Sequence, residues 1–340
     1  MEHPLVVDPT EAPELQRGHG LEGCRRSEHP VGVVGAAWCL VAYICEGGLL
    51  SRALVTGGTG FLGRHLVLAL ESQGTEVRLL RRDAALAAEL EGVDIVYHLA
   101  WTTLPHSSDE NPRHDLETNV GVGISLLDAC VRAGVRMVVF PSSGGTVYGP
   151  TQREQIDELA PTHPICSHGV TKLTFEKYLS LYRRLRSLDY RVLRISNAYG
   201  EGQRSDRSQG LIGVALQRAS DGRPMVVWGD GLAVRDYIHV SDVVAGCIAA
   251  TRDLGPASPR TFNLSSGHGH SVRDVLTLVE GVTGRSLRVA YDAPRTCDLD
   301  RAVLANALAR EHLGFEPRVA LEDGLRATWA ALVARQSQTP

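Results

Sequence analysis

The chain has 340 residues, of which 43% are hydrophobic and 22% are charged, and its formal net charge is −4. This size and composition suit a globular protein with two lobes, and the lack of a basic field excludes a typical nucleic-acid-binding protein. The 7 scattered cysteines form no CxxC pair, so we expect reduced thiols in a cytoplasmic protein, with neither a disulfide framework nor a metal site.

Residues 1–50 differ from the rest of the chain, and we predict that they are an N-terminal extension outside the fold. The apolar run at 31–45 is shorter than the roughly 20 residues that a membrane span needs, so we expect no membrane partner. This run follows Arg25-Arg26, but no convincing small-residue cleavage site comes after it, which disfavours a secretory signal. Glu46-Gly47-Gly48 can be encoded by a purine-rich stretch like a ribosome-binding site, and Leu49 or Leu50 by an alternative start codon, so we expect the native chain to begin near Leu50.

Beyond residue 50, short apolar strands alternate with amphipathic helices. The pattern predicts strands at 52–56, 76–80, 94–100, 136–140, 190–195 and 225–228, and helices at 62–72, 83–90, 116–133, 170–188, 211–219, 240–251, 272–283 and 321–334. Such alternation is typical of an α/β fold with a doubly wound parallel sheet that helices cover on both faces.

The first strand runs into segment 56–63, whose glycines are spaced as GxxGxxG. Gly57 permits a tight turn, Gly60 lets the backbone approach a pyrophosphate, and Gly63 lets the next helix pack on the strand. The start of that helix offers N–H groups and a partial positive charge to phosphate groups. Because the glycines lie between a strand and an amphipathic helix, they predict a dinucleotide site in a Rossmann domain.

We predict two lobes on this basis. The Rossmann domain covers 51–196, and residues 232–262 return to it. A smaller C-terminal lobe, made of 197–231 and 263–335, is expected to bind the substrate above the carboxyl ends of the strands, where ligands bind in such sheets.

The end of the second strand bears on the choice of dinucleotide. An acidic residue about 20 positions beyond the last glycine holds the ribose of NAD, whereas a basic residue there meets the 2′-phosphate of NADP. Arg81 and Arg82 lie in this region, followed by Asp83. The sequence predicts an NAD(P) cofactor and slightly favours NADP; in the alternative, both arginines are solvated and Asp83 serves NAD.

The connection that follows the second strand is short. Only residues 83–93 precede the next strand, which is barely the dozen residues that a parallel crossover needs. We therefore predict that the third strand of the usual Rossmann sheet is missing. That strand is the outermost one, so the sheet can survive, but the adenine pocket loses a wall and cofactor affinity should be lower.

Five segments carry a resemblance to a known family: 56–63 (TGGTGFLG), 97–100 (YHLA), 142–149 (SSGGTVYG), 193–197 (LRISN) and 234–240 (VRDYIHV). From Arg52 to about Trp329 the chain resembles the extended short-chain dehydrogenase/reductases of the NAD-dependent epimerase/dehydratase family. It is most similar to UDP-glucose 4-epimerases and related nucleotide-sugar enzymes.

The resemblance implies roles for individual residues. Cofactor contacts fall on Gly57, Gly60, Phe61, Leu62, Gly63, Leu99, Ala100, Asn119 and Lys172. Lys172 matches the lysine that holds the nicotinamide ribose and lowers the pKa of the family's catalytic tyrosine. Substrate contacts fall on Asn197, Leu211, Arg235, Arg295 and Asp298. Arginines suit the substrate diphosphate because they pair with phosphate oxygens; the alternative for Arg235 is a salt bridge with Asp236 or Asp242.

The chain departs from the family at the catalytic trio. His168 stands where the tyrosine of YxxxK is expected, and Gly144 stands in place of the family's serine or threonine. A neutral imidazole can exchange a proton with a sugar hydroxyl, so His168 is the candidate proton carrier beside Lys172. Ser143 or Thr146 could supply a replacement hydroxyl. Tyr148 is a further candidate donor, although packing against the cofactor is the favoured interpretation.

The resemblance implies an NAD(P)-dependent enzyme that epimerises C4 of a nucleotide-diphosphate sugar. One alternative is an NADPH-dependent keto-sugar 4-reductase, which Arg81 favours. Another is a catalytically silent nucleotide-sugar-binding protein, which His168 and Gly144 favour. We also expect a homodimer: the residues Leu126, Leu127 and Cys130 suit a helix-pair interface, although burial within one subunit explains them equally well.

Overall fold

A computed structural model of the chain describes residues 52–81, 85–105, 107–203, 210–295 and 298–337. The predicted N-terminal extension, Arg82 and Asp83 lie outside these residues. The helices are α1 Phe61–Ser72, α2 Leu86–Glu89, α3 Pro112–Asp115, α4 Val122–Ala133, α5 Ser167–Arg186, α6 Leu211–Asp221, α7 Val240–Ala249, α8 Val272–Thr283, α9 Ala307–Leu313 and α10 Leu321–Ser337. The strands are β1 Arg52–Thr56, β2 Glu76–Leu79, β3 Ile95–His98, β4 Met137–Ser143, β5 Asp189–Ile195, β6 Asn197–Tyr199, β7 Met225–Trp228, β8 Val234–His239, β9 Thr261–Leu264, β10 Gly269–Ser271, β11 Val289–Asp292 and β12 Arg301–Ala302.

The central sheet has six parallel strands in the order β2-β1-β3-β4-β5-β9. β1 lies between β2 and β3, with Ala53 paired to Val77 on one side and to Ile95 on the other. This confirms the doubly wound parallel sheet. β2 is an edge strand, and the described part of residues 80–94 contains α2 and no further strand, as predicted for the missing third strand.

Apolar side chains cover both faces of this sheet. α1, α7 and α9 pack on one face through residues such as Leu66, Val243 and Leu313. α4 and α5 pack on the other face, where Leu127 and Phe175 are fully buried. Each such side chain contributes about 1.5–3 kcal/mol to folding through its removal from water, so the two layers stabilise the sheet from both sides.

The helix face that suggested a dimer interface belongs to this core. Leu126, Leu127 and Cys130 on α4 are 2%, 0% and 0% exposed. They therefore cannot meet a second subunit, and burial within one subunit explains them. The homodimer stays a prediction that these residues do not support.

A second cluster of apolar residues joins α6, α8 and α10 with β7, and includes Ile212, Leu216, Val275 and Leu325. β7 pairs with β11, while β8 pairs with β6, β10 and β12. β9 lies in the central sheet and spans the predicted boundary between residues 262 and 263. The sequence did not predict the short strands β6 and β8 to β12 or helix α9, because runs this short carry little periodicity.

Two predicted helices differ in detail. The helix expected at 83–90 is the shorter α2. The one expected at 116–133 begins earlier with α3 and continues through a π-helical stretch, Leu116–Gly121, into α4. Among the described residues, no helix is both long and apolar enough to cross a membrane.

Candidate active site

The turn between β1 and α1 is shaped by its glycines. Gly57 has φ +69°, and a Cβ added there would lie 2.8 Å from the Ala100 backbone nitrogen. A Cβ on Gly63 would overlap the Gly57 carbonyl oxygen. Gly60 precedes α1, and no side chain caps that helix start. The first N–H groups of α1 are therefore available to an anion, which fits the diphosphate of a dinucleotide.

The end of β3 is fixed beside this turn. The Ala100 backbone N–H donates to Thr56 Oγ1 at 3.0 Å, and Thr56 Oγ1 lies 2.9 Å from His98 Nδ1. Burial lowers the pKa of His98 to about 3, with the Lys172 charge adding to the effect, so its ring is neutral. Leu99 packs on the apolar core with Leu62. These contacts hold the backbone of residues 99–100 against Gly57.

One cavity of about 1760 Å³ joins the two ends of the predicted site. Its lining includes Gly60, Phe61, Ser143, Thr146, His168, Lys172, Asn197, Leu211, Arg235, Arg295 and Asp298. The other predicted residues that the structure describes are not part of this lining: Gly57, Leu62, Gly63, Arg81, Leu99, Ala100 and Asn119. Arg81 is exposed and lies two residues after the end of β2. Residues that are far apart in the sequence are thus brought to one surface by the ends of several strands.

His168 lies in the first turn of α5 and is 8% exposed. Its Nδ1 is 3.4 Å from Thr146 Oγ1, and its backbone N–H donates to Ser108 Oγ at 3.0 Å. Burial and, to a smaller extent, the Lys172 charge lower the pKa of His168 to about 3, against the opposing charge of the Asp115 carboxylate. The ring is therefore neutral at neutral pH.

Lys172 lies one helical turn after His168 and is 7% exposed. Its Nζ donates to the Pro141 carbonyl oxygen at 2.8 Å. Burial lowers the pKa of Lys172 to about 7, against the opposing charges of Glu176 and Asp115. The amine can therefore change its charge near neutral pH.

The hydroxyl groups near His168 come from the last residue of β4 and from the turn that follows it. Ser143 and Thr146 line the cavity, and Thr146 is the one beside His168. A Cβ added to Gly144 would overlap Leu304 Cδ1, and Leu304 is 1% exposed. A serine at position 144 would thus require Leu304 to move. Thr146 is the hydroxyl that the structure offers to the imidazole.

Tyr148 does not serve as a substitute proton donor. Its hydroxyl donates to Asn263 Oδ1 at 2.7 Å, and the side chain is buried away from the cavity lining. Burial also raises the pKa of Tyr148 to about 12.

The substrate end of the cavity carries Arg235 and Arg295 beside the acidic residues Asp298 and Asp300. Arg235 Nη1 donates to the Val234 carbonyl oxygen, and Arg295 lies 4.3 Å from the centre of the Trp228 ring. Asn197 Nδ2 donates to the Asp236 carbonyl oxygen at 3.0 Å. The alternative for Arg235, a salt bridge to Asp236 or Asp242, is wrong. The Asp236 carboxylate accepts hydrogen bonds from Ser196, Ser266 and Gly267, and the Asp242 carboxylate accepts one from the Val319 N–H.

Within the described ranges, no group of three His, Cys, Asp or Glu residues is placed to hold a metal ion. The described cysteines Cys130, Cys166 and Cys247 are buried.

Comparison with known proteins identifies the family. Residues 53–265 match the model of the NAD dependent epimerase/dehydratase family. The chain belongs to this family. A UDP-glucose 4-epimerase of Mycolicibacterium smegmatis is 32% identical over 307 residues, covering 82% of this chain and 97% of the relative.

Two further relatives extend this comparison. A dTDP-4-dehydro-6-deoxyglucose reductase of Escherichia coli is 32% identical over 235 residues, covering 68% of this chain and 73% of the relative. The structure of MoeE5 in complex with UDP-glucose and NAD is 30% identical, with a TM-score of 0.77, and covers 85% of this chain and 100% of that chain.

In this member of the epimerase family, Asn119 belongs to a hydrogen-bond network that was not predicted from the sequence. Asp115 is fully buried, and its carboxylate accepts from Thr103, Asn119, Ser167 and Thr171. Burial by itself would raise the pKa of Asp115, but these hydrogen bonds outweigh it and lower the pKa. Asp115 lies one helical turn before Asn119, and that i, i+4 spacing was the available signal.

Two other residues of the site were not predicted from the sequence. Arg64 lines the cavity from the first turn of α1, and its Nη2 donates to the Gly202 carbonyl oxygen at 2.8 Å. Trp101 follows the YHLA segment and lies over Lys172. An arginine directly after the last glycine of the turn was a visible signal, whereas the contact of Trp101 depends on packing.

Proposed function

We propose that this protein interconverts the C4 epimers of a nucleotide-diphosphate sugar with a bound NAD(P). The observation that carries the proposal is the continuous cavity, which runs from the glycine turn past His168 and Lys172 to Asn197, Arg235 and Arg295. A ligand with a diphosphate at one end and a sugar at the other suits such a surface, because polar groups converge on it at both points.

The end of the cavity beside the glycine turn suits a dinucleotide. Gly60 and Phe61 would hold the diphosphate at the start of α1, and Lys172 would hold the nicotinamide ribose. When bound, the dinucleotide supplies a hydride acceptor and donor. A Cβ on Gly60 would lie 3.1 Å from the Gly57 carbonyl oxygen, so the closed turn favours glycine at this position.

His168 would move the proton of the sugar C4 hydroxyl. Its neutral imidazole accepts the proton as the alcohol becomes a ketone and returns it as the alcohol re-forms. Such acid–base assistance is worth about 10²–10⁴-fold in rate. Thr146 would orient the imidazole or the sugar oxygen, and the Lys172 ammonium would favour the neutral ring.

Arg235 and Arg295 would hold the substrate diphosphate, with Asn197, Leu211 and Asp298 placing the rest of the molecule. Two guanidinium groups suit a diphosphate because each can donate two hydrogen bonds to phosphate oxygens. The UDP-glucose bound in MoeE5 and the UDP-glucose 4-epimerase from M. smegmatis support a UDP-sugar as the substrate.

Arg81 is the residue on which an NADP preference depends, whereas NAD is the cofactor bound in MoeE5. If Arg81 meets a 2′-phosphate, Arg81→Ala should raise the Kd for NADP about tenfold or more, since a hydrogen bond to a charged group is worth about 1.5–3 kcal/mol. The Kd for NAD should not change. Calorimetric titration of both dinucleotides measures this, and equal effects on the two would contradict a role in NADP selection.

A reductase is the second candidate, supported by the similarity to dTDP-4-dehydro-6-deoxyglucose reductase. A silent nucleotide-sugar-binding protein is the third, supported by the histidine at position 168 and the glycine at 144. In the reductase, hydride would pass once from NADPH to a C4 ketone and would not return.

Isotopic labelling separates these activities. With C4-deuterated UDP-glucose, an epimerase should yield UDP-galactose that retains deuterium at C4, with no net consumption of dinucleotide. With deuterated NADPH and a 4-keto sugar nucleotide, a reductase should transfer one deuterium per NADPH oxidised. Calorimetric binding of UDP-glucose without turnover in either assay would contradict the epimerase and support the silent protein. Mass spectrometry of the purified protein would identify the dinucleotide it carries.

A further inference from the structure

Lys172 lies against two aromatic rings at the edge of the catalytic cavity. Its Nζ is 4.1 Å from the centre of the Trp101 ring and 4.5 Å from the centre of the Phe140 ring. The Pro141 carbonyl oxygen accepts its hydrogen bond at 2.8 Å. We call Trp101, Phe140 and the Pro141 carbonyl the aromatic seat of Lys172.

The two acidic groups that face Lys172 are already engaged. The Asp115 carboxylate accepts from four side chains. The Glu176 carboxylate pairs with Arg194, whose Nη2 lies 2.6 Å from its Oε2, and accepts from Ser142. In the part of the chain that the structure describes, no ion pair to Lys172 falls within 4 Å. The seat is therefore the immediate environment of the ammonium.

Neighbouring contacts keep the seat rigid. The Thr102 backbone N–H donates to Asn119 Oδ1 at 2.8 Å, which fixes the chain directly after Trp101. The Trp101 ring lies 5.4 Å from the ring of Phe140. Phe175, three residues after Lys172 on α5, packs 4.8 Å from Phe140 and extends the cluster. The hydrogen bond after Trp101 and the packing on Phe140 together hold the Lys172 ammonium in one position.

Two opposing effects act on the charge of Lys172. Burial disfavours the ammonium and lowers the pKa of Lys172 to about 7. The faces of aromatic rings attract a cation, by about 2 kcal/mol where the cation is desolvated. Because the pKa of Lys172 lies near neutrality, an attraction of this size changes the fraction of the amine that is charged at neutral pH.

We propose that Trp101 is a positioning residue, which holds the Lys172 ammonium in the aromatic seat and keeps it charged at the pH at which the enzyme works. The consequence for catalysis rests on the proposed function, in which Lys172 holds the nicotinamide ribose and favours a neutral His168. The titratable groups that face Lys172 are His98, His168, Asp115 and Glu176. Both histidines titrate far below neutrality, so Lys172 is the member of this set that changes charge near pH 7.

A fluorescence titration tests the seat without any assay of activity. Protonation of an amine over the indole should change the emission of Trp101, so the purified full-length protein should show a transition with a midpoint near pH 7. The transition should be absent from Lys172→Met and from Trp101→Phe. A transition that persists unchanged in Lys172→Met would overturn the assignment.

The pH profile tests the consequence for catalysis. A role for the ammonium predicts that kcat/KM falls as the pH rises through the pKa of Lys172. Removing the ring in Trp101→Leu destabilises the charged form, so this fall should move to lower pH by on the order of one pH unit. Trp101→Phe keeps a ring and should give a smaller shift.

Trp329→Leu is the matched control. The Trp329 ring on α10 also faces a cation, with its centre 5.5 Å from Arg285 Cζ, so this variant should leave the pH profile unchanged. If kcat/KM falls at the wild-type pH in both Trp101→Leu and Trp101→Phe, and both variants are folded, the proposal is overturned. A protein without epimerase activity that still shows the Trp101-dependent transition would contradict the proposed function and support the seat.

Discussion

Replacing His168 with alanine is expected to lower kcat for C4 epimerisation by about 10²–10⁴-fold, which is the usual contribution of one acid–base group. The imidazole lines the cavity, is neutral because it is buried, and is the group that stands in the family's tyrosine position. Dinucleotide affinity should change little, because the glycine turn lies on a different strand. Steady-state kinetics and calorimetric titration of the same variant measure the two effects separately.

The control variants separate chemistry from packing. His168→Gln keeps much of the side-chain volume but cannot exchange a proton at neutral pH, so it should be as impaired as His168→Ala. Thr146→Val removes the hydroxyl beside the imidazole and should cost less, because the Thr146 Oγ1 to His168 Nδ1 distance is a long 3.4 Å. An alanine variant with the wild-type kcat would contradict the role of His168.

The variant His168→Tyr tests whether the histidine is a functional proton carrier or a replacement that has lowered the activity. If the neutral imidazole is the adapted proton carrier, a tyrosine should not exceed the wild-type kcat. A variant with strongly raised turnover would show instead that His168 is a lesion. Restoring the serine at position 144 does not complete the test, because its Cβ would overlap Leu304.

The sequence predicted the central sheet and the convergence of the site on it, for a physical reason. Parallel strands bring their carboxyl ends to one edge, so the glycine turn after β1, residues 143–146 after β4 and Asn197 after β5 had to meet there. Arg235 lies on the short strand β8 and Arg295 follows the short strand β11, and runs this short left little periodicity. Their place in the cavity followed from the family resemblance and not from the pattern.

Side-chain networks could not be predicted in the same way. Asp115 reads as an ordinary helix-start acid, and only the fold brings Thr103, Ser167 and Thr171 around its carboxylate. Trp101 likewise meets Lys172 because β3 and α5 lie against β4. A buried carboxylate without hydrogen bonds is costly, which explains why Asp115 accepts several of them. The burial of Asp115 itself could not be predicted from the sequence.

Replacing Gly63 with alanine is expected to raise the Kd for the dinucleotide at least tenfold and to lower the free energy of unfolding by about 1–3 kcal/mol, as overpacking does. The added Cβ would overlap the Gly57 carbonyl oxygen and lie 2.6 Å from Gly58 Cα. Both are backbone atoms, so the turn itself must move, and with it the start of α1.

Gly281→Ala provides the matched control for that variant. Gly281 lies on the exposed face of α8 with no atom within 4 Å of an added Cβ. Its replacement should stabilise the protein by about 0.4–1 kcal/mol and leave dinucleotide binding unchanged. Urea unfolding and calorimetric titration of both variants decide the matter: a Gly63→Ala protein with the wild-type Kd would mean that the diphosphate does not depend on the geometry of this turn. A loss of affinity confined to Gly63→Ala would locate the dinucleotide at the start of α1, where the helix N–H groups are free to receive it.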